Sequence, residues 1–275
     1  MKNNNKFRLD VWGAITLGTI ALYALFLLYP MAYLIRQSVL DPDTGGFTLA
    51  YFTKFFSKSY YFDTLINSFK VSITATVLSI AIGTPLAYLF TIFKIKGKPV
   101  LNILIVVASM SAPFIGAYSW ILLLGRSGII TTFFKNLGIA IPDIYGFGGI
   151  VLVMTLQLFP LVFLYAKGAL KNIDNSLIEA AENLGCSGIA CFFKVVVPLI
   201  MPTLLAAALL VFMRSFADFG TPMLIGEGYR TFPVVLYTEF INEVGGSDGF
   251  AAAIAVIAIV ITTLVFLVQD RKSVV

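Results

Sequence analysis

The chain has no histidine, two cysteines and only 12% charged residues in a length of 275. Each shortage excludes something. Without imidazole there is neither His-based general acid–base chemistry nor an imidazole metal ligand. Cys186 and Cys191 stand at neither a zinc nor a redox spacing and are expected to be packing residues in a reducing loop. No G-x-x-x-x-G-K-[ST] phosphate loop occurs, so any nucleotide-driven work must be done by another polypeptide. Scarce charge beside 59% hydrophobic residues lies far from globular averages. The apolar residues gather in long runs, which predicts an all-α integral membrane protein. The net charge of +5 needs no nucleic-acid partner, because lysines holding loops on one side of a membrane account for it.

Six spans are predicted. After the polar tail MKNNNKFRLD, residues Val11–Ile35 are uncharged and reach about 37 Å as a helix, enough to cross a hydrocarbon core of roughly 30 Å. That length exceeds a signal-peptide core, so the helix is expected to be retained rather than cleaved. The connection from Arg36 to Asp63 carries turn signals and interface-type aromatics. A second span begins near Leu65 and is uncharged from Val71 to Phe93, with Lys70 positioned to snorkel. Its Ser72, Thr74, Thr76, Ser79, Gly83 and Thr84 favour close helix approach, so this helix is expected to be interior. Further spans are Pro99–Gly125, Ile144–Ala166 with Gln157 and Pro160 inside it, Val195 or Pro202 to Ile225, and Phe250–Val268. Ile129–Ile141 is expected as a short helix on the outer surface.

With six spans both termini share one side. Lys2, Lys6, Arg8, Lys94, Lys96, Lys98, Lys167, Lys171, Lys194, Arg271 and Lys272 then face Arg36, Lys54, Lys58, Arg126, Lys135 and Arg230 across the membrane. The richer side is cytoplasmic by the positive-inside rule, so the loop between the fourth and fifth spans is cytoplasmic too.

That loop reads SLIEAAENLGCSGIACFFKVVVPLIMP from Ser176 to Pro202. Ser176 and Glu179 have capping-box spacing and predict a helix start at Ser176. Leu177, Ala180, Ala181 and Leu184 make one narrow apolar face, away from Glu179, Glu182 and Asn183, and Gly185 is a natural stop. Ser187 can start a second helix, and Pro198 and Pro202 punctuate the entry into the next span.

Glu179-Ala180-Ala181, three residues, Gly185, nine residues and Val195-Val196-Val197-Pro198 resemble the EAA loop of ABC importer permeases. The departures are valines for the family's isoleucine and leucine. The resemblance implies a coupling helix that docks on an ATPase subunit, with Ser176, Glu179, Ala180, Ala181, Gly185 and Pro198 as coupling residues.

Two ionisable residues remain within the fifth span. Arg214 lies about 18 Å along the helix from Pro202, and Asp218 follows one turn later on the same face. Such charges pair, face the bundle interior or line a watery path. Either a structural ion pair or a translocation pathway or gate formed by Arg214, Asp218, Phe219, Gly220 and Pro222 fits. Gly220 and Pro222 would loosen the helix there. Ala217-Asp218-Phe219-Gly220-Thr221-Pro222, Leu224-Ile225-Gly226, Tyr237 and Glu243-Val244-Gly245-Gly246 are similar to the branch of these permeases that carries ferric iron. Relatives in the broad branch carry polyamines, thiamine, aminoethylphosphonate or sugar phosphates. No cluster of carboxylates or tyrosines with hard-metal ligand geometry is visible, so iron follows from the resemblance alone.

The resemblance implies a type I (MetI-like) ABC importer permease in the bacterial inner membrane, with residues 1–64 as tail, first helix and periplasmic connection, 65–270 as permease core, and 271–275 as cytoplasmic tail. It also implies an ATPase dimer that holds ATP and Mg, a second permease chain or half, and a periplasmic or lipoprotein solute-binding protein. This chain is then no enzyme and binds no cofactor. An ion-coupled secondary transporter using Arg214 and Asp218 as a charge relay is the competing class, but it leaves the EAA-like loop unexplained and lacks an internal repeat.

Overall fold

The computed structural model describes residues 11–41, 44–93, 95–110, 112–186, 188–241 and 248–273. Lys2, Lys6, Arg8, Lys94, Ser187 and the run Glu243–Gly246 lie outside the described residues, as do the side chains of Glu182, Arg271 and Lys272. Among the described residues twelve helical stretches follow in order. They are α1 (Val11–Val39), α2 (Ala50–Ser57), α3 (Ser59–Ile92), α4 (Lys98–Ser109), α5 (Pro113–Leu124) and α6 (Ile129–Asn136), then α7 (Phe147–Lys171), α8 (Asn175–Asn183), α9 (Gly188–Ala217), α10 (Gly220–Ile225), α11 (Phe232–Ile241) and α12 (Asp248–Ser273). Among the described residues the remaining regular feature is an isolated antiparallel bridge between Leu40 and Phe47.

Two long helices carry a π-type turn, α1 at Ala24–Leu28 and α9 at Phe192–Val196. Each ends two residues before a proline, Pro30 or Pro198. Proline lacks the N–H for the normal ladder and its ring clashes with the carbonyl four residues back. The chain answers by widening one turn: Tyr29 N–H reaches the Ala24 carbonyl and Val197 N–H reaches that of Phe192. The prolines are thus absorbed, and α9 runs on through Pro198 and Pro202 instead of starting at either.

The third predicted span, Pro99–Gly125, is not one helix but two, α4 and α5. Pro113 opens α5 and cannot continue the hydrogen-bond ladder, while Ala112 before it is extended at φ −68°, ψ 142°. By length and apolarity alone, 114–136 would make a span as readily. It contains the turn at 125–128, however, where Arg126 meets Asp143 and Glu227 at 3.1 and 2.7 Å. Such an exposed charge cluster belongs at the water boundary. The third crossing is therefore α4 plus α5. The short helix α6 stops at Asn136, earlier than expected, because Gly138 at φ 78° lets Ile139 N–H cap the Phe134 carbonyl.

Two compact units appear, residues 1–58 with 238–261 and residues 59–237 with 262–275. In the first, Phe55, Phe250 and Ala253 are fully buried, the Lys54 ammonium sits 4.0 Å above the Phe250 ring, and most of α1 is apolar and exposed. In the second, α3 packs along α7 and α9 crosses both. Ser72, Ala75, Thr76, Ser79, Gly83 and Ala87 form the buried stripe of α3, recurring at the helical period. This fulfils the expectation of an interior second span. One apolar core, near the Ile92 end of α3, gathers Phe90, Val162, Phe163, Val196 and Ile200; another, toward its start, gathers Val71, Ile150, Val153, Met154 and Ile225.

Candidate functional site

The loop after α7 begins one step earlier than its sequence suggests. Asp174, not Ser176, caps α8: its Oδ1 accepts the Ser176 N–H at 2.9 Å and its carbonyl accepts that of Leu177. Asp is as good a cap as Ser and adds a negative charge at the positive helix end, so the helix takes in Asn175 and Ser176. The bonds from Ser176 hold the Asp174 carboxyl below the usual carboxylate range. Glu179 is therefore two residues too deep for a capping box. It lines a cavity of about 330 Å³ with Tyr88, Thr91, Leu170, Ile173 and Ile178.

Gly185 ends α8 in the left-handed region at φ 85°, and Cys186 N–H then closes on the Ala181 carbonyl at 3.0 Å. This six-to-one bond satisfies a carbonyl that a stopped helix would strand, and a side chain there would be strained. Ile178 packs on the bundle core, whereas the face with Leu177, Ala180 and Leu184 points away from it. Leu184 is 89% exposed, and Ile189 and Phe193 at the start of α9 are 78% and 63% exposed. Val196 is fully buried and Pro198 follows inside α9, tying this apolar projection to the core. Cys191 is buried and Cys186 half-buried, and the two are not joined in a disulfide.

At the other end of α9 the expected one-turn pair does not form. The helix ends at Ala217, and Asp218 turns out of it at φ −73°, ψ 119°. Its carboxylate serves α10 instead: Oδ1 accepts the N–H groups of Gly220 at 2.9 Å and Thr221 at 3.3 Å, and Oδ2 accepts the Thr221 hydroxyl at 2.7 Å. Arg214 has no ion pair or hydrogen bond among the described residues. Both side chains line one cavity of about 530 Å³, with Ser109, Phe114, Gln157 and Phe219. Within it the Gln157 Nε2 is buried without a partner. Phe219 stands edge-on to Phe114 at 5.1 Å and stacks on Tyr237 at 4.9 Å. A β-carbon on Gly220 would touch the Phe114 ring at 3.4 Å, and Pro222 is buried in α10, which packs on α5.

The five pathway candidates thus fall in one place, at the junction of α9 and α10. Other lining residues, Ser109, Phe114 and Gln157 among them, escaped sequence reasoning. Gln157, a polar residue in an apolar run, gave a signal; Ser109 and Phe114 are brought in only by the break between α4 and α5. Among the described residues no three acidic, cysteine or histidine side chains gather to hold a metal ion.

Six crossings with a broken third, a projecting helix–turn–helix at one end and a polar-lined cavity in the bundle define a transport permease. The chain belongs to the family of binding-protein-dependent transport system inner membrane components, which it matches over residues 46–271. Its architecture is that of the MetI-like ABC importer permeases. It is 27% identical over 255 residues to a putative ferric transport system permease protein of Haemophilus influenzae, covering 91% of this chain and 39% of that one. It is 28% identical over 281 residues to the spermidine/putrescine transport system permease PotB of the same organism, covering 98% and 95%. The chain spans about two fifths of the length of its ferric relatives and nearly all of PotB. Among solved structures, a bacterial alginate ABC transporter in complex with a pentasaccharide-bound periplasmic protein superposes with a TM-score of 0.78 at 15% identity, over 96% of this chain and 93% of that one. The inward-facing methionine transporter MetNI gives 0.60 at 15% identity, over 78% and 97%.

Proposed function

We propose that this chain is the membrane-spanning subunit of an ATP-driven, binding-protein-dependent importer, and that its solute is ferric iron. The observation that carries the importer reading is the α8 projection. An EAA-like sequence is folded into a capped helix whose apolar face, with Leu177 and Leu184, is turned away from its own bundle. The distribution of lysines supports placing that projection and both termini in the cytoplasm. There an ATPase dimer, which binds ATP and Mg in place of this chain, closes and pushes on α8. The motion passes through Ile178 and Val196 into the core of α3, α7 and α9. A second permease chain or half completes the pathway, and a binding protein delivers solute from outside.

In this reading the solute passes the 530 Å³ cavity, with Arg214 as the free charge and the Asp218-capped α10 as the gate element. Irregular backbone at membrane depth is tolerated where it lines such a cavity. Ferric iron rests on the 217–226 segment and on the ferric relatives. A polyamine is the alternative, favoured by PotB, which matches along nearly its whole length. The test is co-purification of the solubilised chain from its native membrane, followed by reconstitution of the recovered complex with its binding protein. ATP-dependent uptake of iron supports the full reading, uptake of spermidine alone moves the solute, and flux driven by an ion gradient without an ATPase overturns the importer.

A further inference from the structure

A third cavity, of about 460 Å³, lies at the α8 end of the bundle between the end of α3, the start of α4 and the end of α7. It is lined by Lys98, Lys167, Lys171, Asn102, Thr91 and Phe90. Three ammonium groups therefore surround one space. Among the described residues none of them has an ion pair: Lys167 Nζ donates to Asn102 Oδ1 at 2.6 Å and lies 5.5 Å above the Phe163 ring, and no carboxylate reaches any of the three. Of the nearby acids, Asp174 caps α8 and Glu179 lines the adjoining cavity. The first turn of α4 also lines the space. Gly97 gives it no side-chain cap, so the positive helix end adds to the field.

Three like charges held around one cavity repel one another unless an anion joins them. We propose that this cavity holds the phosphodiester headgroup of an anionic phospholipid. The shared chemistry is a phosphate bearing at least one negative charge. Two features favour a lipid over free phosphate: the site sits where three membrane helices end, and Val100, Ile103 and Leu104 offer an exposed apolar face beside it for acyl chains. Basic pockets between helix ends are suited to anionic headgroups. A headgroup there bridges Lys98 on α4 to Lys167 and Lys171 on α7, and so anchors the first half of the broken crossing to the bundle.

The experiment uses the full chain, delipidated in neutral detergent and titrated with phosphatidylglycerol, with phosphatidylcholine or with inorganic phosphate. Bound lipid is counted by native mass spectrometry, and the melting temperature is recorded beside it. Expected is one retained phosphatidylglycerol, preferred about 100-fold over phosphatidylcholine, with a raised melting temperature. Lys171→Gln should weaken retention about fivefold, the triple Lys98→Gln, Lys167→Gln, Lys171→Gln variant should abolish it, and Lys194→Gln, which removes the same single charge as Lys171→Gln but outside the cavity, should leave it intact. Should the triple variant not fold, the wild-type preference and Lys171→Gln carry the test. Equal retention of the two lipids, or equal loss in Lys194→Gln, overturns the site. Displacement by inorganic phosphate with the same thermal shift overturns the lipid assignment in favour of a free anion.

Discussion

Gly83 and Val162 stand so close that a β-carbon on the glycine would come within 2.8 Å of the Val162 Cβ and 2.9 Å of the Phe159 carbonyl oxygen. The α3–α7 contact is therefore set by backbone proximity that a single residue type permits. Gly83→Val should destabilise the folded bundle by about 1–3 kcal/mol, as overpacking does. Gly18→Val, where no atom lies within 4 Å, is the control. Thermal melts in detergent decide it, and equal melting of both variants would remove the close-contact argument.

Leu184 is 89% exposed on a helix whose other face is already docked, so Leu184→Asp should leave the melting temperature unchanged. ATPase co-purification and ATP-dependent uptake should both drop at least tenfold. Gly185→Val acts differently, forcing a β-branched side chain into the left-handed region at about 1–2 kcal/mol and disturbing how α8 ends. Retention of full coupling by both variants would show that the partner binds elsewhere.

Arg214 and Asp218 share a cavity but no bond, so their substitutions should add. Asp218→Ala removes the acceptor of three hydrogen bonds to α10 and should cost about 0.5–2 kcal/mol, as loss of a cap does. Arg214→Gln should leave stability nearly unaltered and lower uptake. A double-mutant cycle should return a coupling below about 0.5 kcal/mol. A coupling well above that would mean the two pair in the membrane after all.

The Asp174 cap gives α8 a pH dependence of known sign. Its carboxyl is held below the usual value by the Ser176 N–H and hydroxyl, so the folded form binds its proton less readily than the unfolded one. Stability from the cap is present above the ordinary carboxylate range and is lost as pH falls through and below it. The protection factor of the Ser176 amide, its exchange measured against the intrinsic rate at the same pH, should fall on acidification in wild type. In Asp174→Asn, which keeps an acceptor without a titrating group, the exchange profile should be free of that step.

The helices and the loop motif were legible because their signals are local. Uncharged runs have lengths that match a bilayer, Gly185 stands where a helix must stop, and the small residues of α3 recur at the helical period. What went astray involved competition between neighbouring local signals. Asp174 and Ser176 both qualify as caps, and only the folded turn shows that the first takes the helix. Pro113 and Pro198 look alike in sequence, yet one breaks a crossing while a π-turn absorbs the other. Arg214 and Asp218 satisfy the one-turn rule, but that rule holds only while both remain helical.

By itself, then, the sequence determined the class of the protein, its crossings and the position of the projecting loop, since run length, charge count and residue spacing act along the chain. Only the tertiary structure decided that Asp218 leaves the helix to cap α10, that Arg214 and Gln157 reach one cavity with Ser109, and that three lysines surround another. The physical reason is that a polar side chain takes whichever partner the packed backbone brings within hydrogen-bonding reach, and that choice is made between segments far apart in sequence.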